Sequence, residues 1–346
     1  MIPESAIAKA REILLSAKRP VFFHDDDADG TISFVLCYRF CGEGKSVPVK
    51  RSPVVTADFH RYVQEYNADL IVILDKPRVE EEFFAQTKLP VLWIDHHEPQ
   101  TSHKPYSHAY YLNPRLFDDA DNRPTSYWCY QITQKNLWLA TVGCIADWHV
   151  PDFLEEFRNE YPGLAPPATT IEELYIDTPV GQLIRVVQFN LKGQTADVKK
   201  SILTLSRVDD PSEILGQTSA RGRFLWKKYH KLALPYETEL ERAKNTPPMD
   251  TLLCYEYDNE EMTFTSELSN ELLIRFPDKV ILVARKHDGS YKCSLRSKFL
   301  EIPPIIDTCL VGLEGYGGGH KHACGLVVAQ KDWAVFLDRF REQIKK

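Results

Sequence analysis

Short, mostly apolar runs alternate with amphipathic segments over the first 150 residues of the chain. Runs of this length are typical of buried strands, and they stand at 21–23, 47–55, 70–75 and 89–95. Apolar residues at helical spacing follow, in segments 31–40, 57–66, 80–86, 125–135 and 136–147. Because strands alternate with helices, residues 1–150 are predicted to form an α/β domain built on a doubly wound parallel sheet.

The pattern changes near residue 151 and again near residue 248. Residues 151–247 contain short amphipathic runs and few strand-like runs, which predicts a helical connector. Strand-like runs return after Pro247 and Pro248, so residues 248–346 are predicted to form a smaller α/β domain across a cleft from the first. Within it, the glycine-rich stretch GYGGGHKHACG at 315–325 is predicted to be a loop before the last strand and helix.

The composition and charge of the chain argue against a broadly basic nucleic-acid-binding protein and against a membrane-spanning protein. The 346 residues carry a formal net charge of −7, with 43% hydrophobic and 26% charged residues, so the chain is not broadly basic. A nucleic-acid partner would therefore need a local basic groove or a metal site. No apolar stretch is long enough to span a membrane. The eight cysteines include no C-x-x-C pair, which predicts reduced thiols in a cytoplasmic protein.

The densest charge in the sequence is HDDDADG at 24–30, which places four aspartates in one loop after a predicted strand. Asp25, Asp27 and Asp29 match the first half of an EF-hand calcium loop. The match then fails, because the twelfth position is Leu36 where such a loop requires a glutamate, and because a strand precedes the loop instead of a helix.

Other polar residues follow other predicted strands or apolar segments, namely Asp75, Asp95-His96-His97 and Asp147. One acid in such a place is usually a turn residue or a helix cap. Parallel strands, however, bring their carboxyl ends to one edge of the sheet, and several carboxylates there require positive charge. Carboxylate and imidazole without cysteine favour Mn²⁺, with Mg²⁺, Co²⁺ or Zn²⁺ as alternatives. The number of acids predicts two ions, the usual arrangement for phosphoester hydrolysis.

These motifs, in this order, resemble the four motifs of the DHH phosphoesterase superfamily. The stretch GYGGGHKHACG resembles the GGGH motif of the DHHA1 domain, which follows the DHH domain in the RecJ-like and nanoRNase-like branches. The resemblance covers about 1–150 and 248–346, and the overall layout is most similar to archaeal RecJ-like nucleases. It covers the connector only loosely.

The resemblance implies a role for each polar residue at the sheet edge. The implied metal ligands are Asp25 and Asp27 for one ion, Asp29, His96 and Asp147 for the other, and Asp75 bridging both. His97 would lie over the scissile phosphate as a ligand or general acid, and Asp95 would orient the histidines. One departure from the family is LDKPR at 74–78, where relatives place a small residue soon after the aspartate. Lys76 and Arg78 would either touch a substrate phosphate or face water.

The resemblance also implies that the C-terminal domain binds substrate phosphate, through Ser294, Arg296, Gly317, Gly318, Gly319 and His320. Glycines allow close approach of backbone N–H groups to a phosphate, and arginine grips phosphate directly. His322 and Asn113 are weaker candidates.

The sequence therefore predicts a cytoplasmic, Mn²⁺-dependent, RecJ-like exonuclease that hydrolyses single-stranded DNA, RNA or short oligonucleotides by two-metal in-line attack. A nanoRNase, or a hydrolase of cyclic dinucleotides or phosphoadenosine phosphate, is the enzymatic alternative. An inactive replication scaffold similar to Cdc45 is the alternative of another class, and replication or repair proteins are possible partners. The basic stretch at 221–231 is either a solvated helical face or part of a groove for the strand. Polarity, DNA or RNA preference and oligomeric state are not predicted.

Overall fold

A computed structural model describes residues 1–50, 53–100, 107–167, 170–176, 178–258 and 263–345, and only the backbone of His320. The chain divides into two compact units, Met1–His230 and Lys231–Lys346. The division falls inside one long helix, Ala220–Lys244.

The first unit contains seven described strands. Their bounds are β1 Pro20–Asp25, β2 Lys45–Val49, β3 Val54–Val55, β4 Leu70–Leu74, β5 Arg78–Val79, β6 Val91–Ile94 and β7 Ala109–Leu112. The helices that begin in this unit are α1 Glu4–Ser16, α2 Ala28–Cys41, α3 His60–Tyr66, α4 Glu81–Gln86, α5 Thr125–Thr133, α6 Leu137–Ala146, α7 Leu154–Glu160, α8 Ile171–Tyr175, α9 Pro179–Asn190, α10 Thr195–Leu205, α11 Ser212–Leu215 and α12 Ala220–Lys244. Single 3-10 turns stand at Ala57–Phe59 and Pro114–Leu116.

The central sheet has the order β2-β1-β4-β6-β7, and all of its pairings are parallel. Every residue of β4 and β6 is buried, because helices cover both faces of the sheet. One face packs on residues of α3 and α4, including Phe83 and Phe84. Three further helices contact the sheet: α1 at β7, α2 at β1 and β4, and α5 at β6. The predicted doubly wound parallel sheet is confirmed. The chain order reverses between β1 and β4, the type of position where α/β sheets form their sites.

The strand predicted at 47–55 is two separate strands in the structure. The apolar run at 47–55 was expected to be a single strand, but β2 ends at Val49 and β3 pairs with β5 in a separate two-stranded sheet. Pro53 lies between them and cannot donate a ladder hydrogen bond.

The second unit contains the strands β8 Leu252–Asp258, β9 Val280–His287, β10 Ser290–Arg296, β11 Gly315–His320 and β12 Ala323–Ala329, with helices α13 Thr265–Arg275, α14 Ile302–Leu310 and α15 Trp333–Gln343 and a 3-10 turn at Gln330–Asp332. The sheet order is β11-β12-β10-β9-β8, with β8 and β9 parallel and the other pairs antiparallel. Its core packs the sheet against α14 and α15. The prediction of a separate C-terminal α/β unit is confirmed.

The glycine-rich stretch is not the loop that its composition suggested. Gly315–His320 forms the edge strand β11, which pairs with β12. At Gly317 the strand has no room for a side chain, because a Cβ there would lie 2.9 Å from Ile306 of α14. A glycine at this position therefore allows the close approach of the strand to the helix. Among the described residues, none of the helices is both long and apolar enough to cross a lipid bilayer.

Candidate metal centre

The carboxyl ends of four adjacent strands lie in register at one edge of the parallel sheet. His24 pairs with Leu74, Leu74 with Ile94, and Ile94 with Leu112. The next residue on each strand is therefore at the same level, and these four residues are Asp25, Asp75, Asp95 and Asn113. Regular parallel pairing alone thus gathers three acids and an amide at one edge.

The acidic loop after β1 joins this edge through the start of α2. Asp27 caps α2, since its carboxylate accepts a 2.9 Å hydrogen bond from the Gly30 backbone N–H. Asp29 lies in the first helical turn and is buried. Its two oxygens accept the backbone N–H groups of Thr125 and Ser126, each at 2.9 Å. Asp29 therefore also holds the first turn of α5 against α2.

Asp75 lies at the centre of the cluster. It is 2% exposed and has φ 58°, in the left-handed region that aspartate and asparagine tolerate better than most residues. The Thr125 hydroxyl donates to Asp75 Oδ1 at 3.1 Å, and His96 Nε2 lies 3.5 Å from the same oxygen.

Each histidine is oriented by a hydrogen bond on its Nδ1. His96 Nδ1 lies 3.1 Å from the Asn122 carbonyl oxygen, which can only accept, so this nitrogen carries the proton. His96 Nε2 then remains to face Asp75 and Asp147, whose oxygens are 3.5 and 3.6 Å away. His97 Nδ1 lies 2.8 Å from Asp95 Oδ1. Such partners fix the ring orientation of histidines that bind metals.

Asp95 is fully buried and is itself held in place. Asn113 Nδ2 and the Tyr111 hydroxyl donate to Asp95 Oδ2 at 3.3 and 3.4 Å, and Asn113 also donates to the His97 carbonyl at 2.9 Å. Burial disfavours a charged His97, but the Asp95 hydrogen bond and the nearby carboxylates raise the pKa of His97 overall. Asp95 orients only His97 among the two histidines, because His96 has its own backbone partner.

The acids of the cluster repel one another. Desolvation inside the cluster and then the neighbouring carboxylates raise the pKa of Asp27 to about 7, although Asp27 is itself exposed to solvent. The same causes raise the pKa of the buried Asp75 well above its usual range. Burial likewise raises the pKa of Asp147 to about 7, although the nearby His96 opposes the shift. Asp26 is half-buried, and burial and the charge of Asp25 raise its pKa to about 6. A bound cation would stabilise these acids in their charged form, because it would offset their mutual repulsion.

The candidate ligand atoms form three overlapping groups, in each of which they lie within 4.8 Å of one another. The groups are Asp25/Asp27/Asp75, Asp29/His96/Asp147 and Asp75/His96/His97. All seven implied metal ligands are thus brought together, and Asp75 belongs to two of the groups. Oxygen and imidazole donors without sulfur fit Mn²⁺, Mg²⁺ or another divalent ion of similar preference. The role of each residue stays a prediction.

Lys76 and Thr125 are the parts of this site that the sequence did not indicate correctly. Lys76 does not face water: it is 1% exposed, and its Nζ lies 3.2 Å from Asp25 Oδ1. It follows Asp75 directly and lies in the acidic cluster, so the charge of Asp25 compensates its burial. Arg78 is exposed on β5. Thr125 follows Pro124 at a predicted helix start, a position that by itself signals only a helix terminus.

The predicted substrate-binding residues of the C-terminal unit make contacts within that unit. Ser294 is buried, and its hydroxyl lies 2.9 Å from the Ser269 hydroxyl of α13. Arg296 donates from Nε to Asn270 Oδ1 at 2.7 Å. Gly318 has open space where a Cβ would be, whereas Gly319 has φ 146°. The side chain of His320 lies outside the described residues, and the substrate-binding role of these residues stays a prediction.

Two family models match the chain in order. Residues 20–148 match the DHH family, N-terminal domain, and residues 250–346 match the DHHA1 domain. No curated protein matches the chain in sequence.

Four solved structures share the fold over nearly the whole chain. RecJ from Thermus thermophilus in complex with Mn²⁺ has a TM-score of 0.69 and 17% identity over 99% of this chain and 55% of its own, so this chain spans about half of that protein. A second RecJ structure, of the exonuclease bound to manganese, has a TM-score of 0.65 and 17% identity over 100% of this chain and 96% of its own.

The other two relatives are more distant. The pGpG-specific phosphodiesterase PggH from Vibrio cholerae has a TM-score of 0.54 and 12% identity, over 95% of this chain and 99% of its own. CDC45 from Entamoeba histolytica has a TM-score of 0.50 and 10% identity, over 99% and 98%. Identities this low establish a common fold and no more. With both domain models matched in order and this fold, the chain belongs to the DHH family and carries a DHHA1 domain after its DHH domain.

Proposed function

We propose that the chain is a divalent-metal-dependent phosphodiesterase that removes nucleotides from single-stranded nucleic acid or short oligonucleotides, with Mn²⁺ as its preferred ion. The observation that carries the proposal is the set of three overlapping ligand groups around Asp75. A shared carboxylate between two groups of donors is what a pair of ions a few ångströms apart requires. The RecJ structures, one of them titled an exonuclease bound to manganese, support the choice of metal and reaction.

The residues divide into those that would hold ions and those that would handle protons. Bound ions would neutralise phosphoryl charge and supply an activated water. His97 Nδ1 lies 2.8 Å from Asp95 Oδ1, and this contact orients the ring. His97 would then contact an ion or give a proton to the leaving oxygen. Asn113 and Tyr111 keep Asp95 in place, so they would act on the reaction through His97.

Product analysis with end-labelled substrates tests the proposal. The purified chain would be incubated with Mn²⁺ and a long single-stranded DNA, a long RNA, a dinucleotide or a cyclic dinucleotide. We expect the long strands to yield mononucleotides, and the labelled end would give the polarity. Asp75→Asn should abolish the activity. Asp288→Asn is a matched control, because Asp288 is exposed, lies in the β9–β10 hairpin and has φ 51°, which asparagine tolerates.

Two other outcomes would each select an alternative. Cleavage of dinucleotides alone would indicate a short-oligonucleotide hydrolase, which the likeness to the pGpG-specific PggH favours. No cleavage of any phosphodiester, with the fold intact, would indicate a scaffold similar to CDC45. All seven implied metal ligands are present as carboxylates or imidazoles, which argues against the scaffold. Buried acids that bind no cation destabilise a fold, so a chain that binds no metal has no physical reason to keep them.

A further inference from the structure

The ammonium group of Lys76 lies inside the acidic cluster at the sheet edge. Lys76 is 1% exposed, and its Nζ is 3.2 Å from Asp25 Oδ1. A lysine is rarely buried to this degree unless it is paired with an acid. The cluster therefore already contains one fixed positive charge on the side of β1.

This contact limits what Asp25 can offer to an ion. Asp25 Oδ1 accepts the backbone N–H of Asp26 at 2.7 Å and also lies against Lys76 Nζ. Two donors thus occupy one oxygen, so Oδ1 of Asp25 has little remaining capacity to bind an ion. An ion in the Asp25/Asp27/Asp75 group would also lie close to the ammonium charge, which repels it.

The other side of the cluster has no such charge. Over the part of the chain that the structure describes, no lysine or arginine forms an ion pair with Asp29, Asp75 or Asp147. The imidazole of His96 lies within 3.6 Å of Asp75 and Asp147, and that of His97 lies 3.8 Å from Asp75; a bound ion would require both in their neutral form.

We propose that the two ion sites of this centre are unequal, and that Lys76 makes them so. An ion at Asp29, Asp75, His96 and Asp147 binds tightly in the absence of substrate. The site at Asp25, Asp27 and Asp75 is weak, because Lys76 already neutralises Asp25, and it fills when a substrate phosphate adds negative charge. The inference rests on the proposed function and concerns only how the chain distributes affinity between its ions.

Substrate-free Mn²⁺ titration, followed by calorimetry and by the electron paramagnetic resonance signal of free Mn²⁺, tests this inference without measuring activity. The unmodified chain should bind one ion tightly and a second at least 10-fold more weakly. Lys76→Met, similar in length but uncharged, should tighten the second site at least 10-fold. Lys76→Arg retains the charge and should keep the second site weak. Arg78→Met is the matched control, because Arg78 is exposed two residues away, and it should change neither site.

The direction of the change separates charge from positioning. If Lys76 merely orients Asp25, Lys76→Met will weaken the second site, which overturns the inference. Two equally tight sites in the unmodified chain overturn it as well, whether or not the variants fold. If the unmodified chain binds no divalent ion, the proposed function itself fails. Two equal sites with intact exonuclease activity would remove only the inference about Lys76.

Discussion

Replacing Gly30 by alanine should damage the metal centre although the substitution favours a helix. Gly30 lies in the first turn of α2, immediately after the residues that reach the cluster, and its backbone N–H is the one that Asp27 accepts. A Cβ at this position would lie 2.7 Å from Asp25 Cβ, 2.8 Å from Asp25 N and 2.9 Å from Asp25 Cα. The obstacle is mostly backbone of β1, which cannot rotate away.

The structure gives the size of the effect. The shortest contact must lengthen by about 0.7 Å to reach an ordinary 3.4 Å, so the start of α2 must move away from the end of β1. The gain in helix propensity is about 1 kcal/mol, while overpacking of this kind costs about 1–3 kcal/mol. We expect net destabilisation of up to about 2 kcal/mol. Movement of the same turn displaces Asp27 and Asp29, and errors near 1 Å in such groups cost about 100-fold in rate.

The assay combines thermal unfolding with Mn²⁺ titration of the Gly30→Ala protein. Gly325→Ala serves as control, because no atom lies within 4 Å of a Cβ built there. It should leave both the unfolding temperature and the metal affinity close to those of the unmodified chain. A Gly30→Ala protein that unfolds at the same or a higher temperature and binds Mn²⁺ normally would refute the packing argument.

Three further predictions concern the acids and their partners. Asp75→Asn keeps a residue that tolerates φ 58° but removes the shared charge, so metal binding should fall at least 100-fold in titration, whereas unchanged affinity would remove Asp75 from the ligand set. Asn113→Ala removes a donor to Asp95 and should lower kcat about 10–100-fold with little change in KM; a KM effect alone would contradict positioning. Raised pKa values of about 7 at Asp27 and Asp147 mean that the metal-free fold loses stability as pH rises from about 4 toward 7, because the unfolded chain has already released these protons. The rise in unfolding temperature that Mn²⁺ causes should therefore grow between pH 5 and 7.5, and a constant rise would contradict the coupling.

The position of the site was predictable from sequence because it depends on periodicity. Wholly apolar strands such as 70–74 can only be buried between two layers of helices, and parallel register then puts the residue after each strand at one edge. The convergence of Asp25, Asp75 and Asp95 follows from that rule without further information. Asp29 and Asp147 also reach the cluster, although they lie on the ends of helices.

The partners of those acids were not predictable, because contacts distant in sequence decide them. Lys76 beside a strand end suggests a surface charge, and only the packing of β4 next to β1 shows that it reaches Asp25. The glycine run at 317–319 has the composition of a loop. Pairing with β12 makes it a strand, a tertiary contact that overrides local propensity.

The acids of the cluster have unequal hydrogen-bond and charge partners within the chain, and this indicates where a cation matters most. Asp29 has two backbone N–H donors from α5, and Asp25 has Lys76 beside it. Asp75 receives one hydroxyl, and Asp147 faces a histidine. Both acids have raised pKa values, as does Asp27 in the other ligand group, which means that burial and repulsion exceed what their partners compensate. The free energy of binding the first ion should therefore come chiefly from Asp75 and Asp147, and the C-terminal end of α6, which carries Asp147, should be the part of the centre that metal removal loosens first.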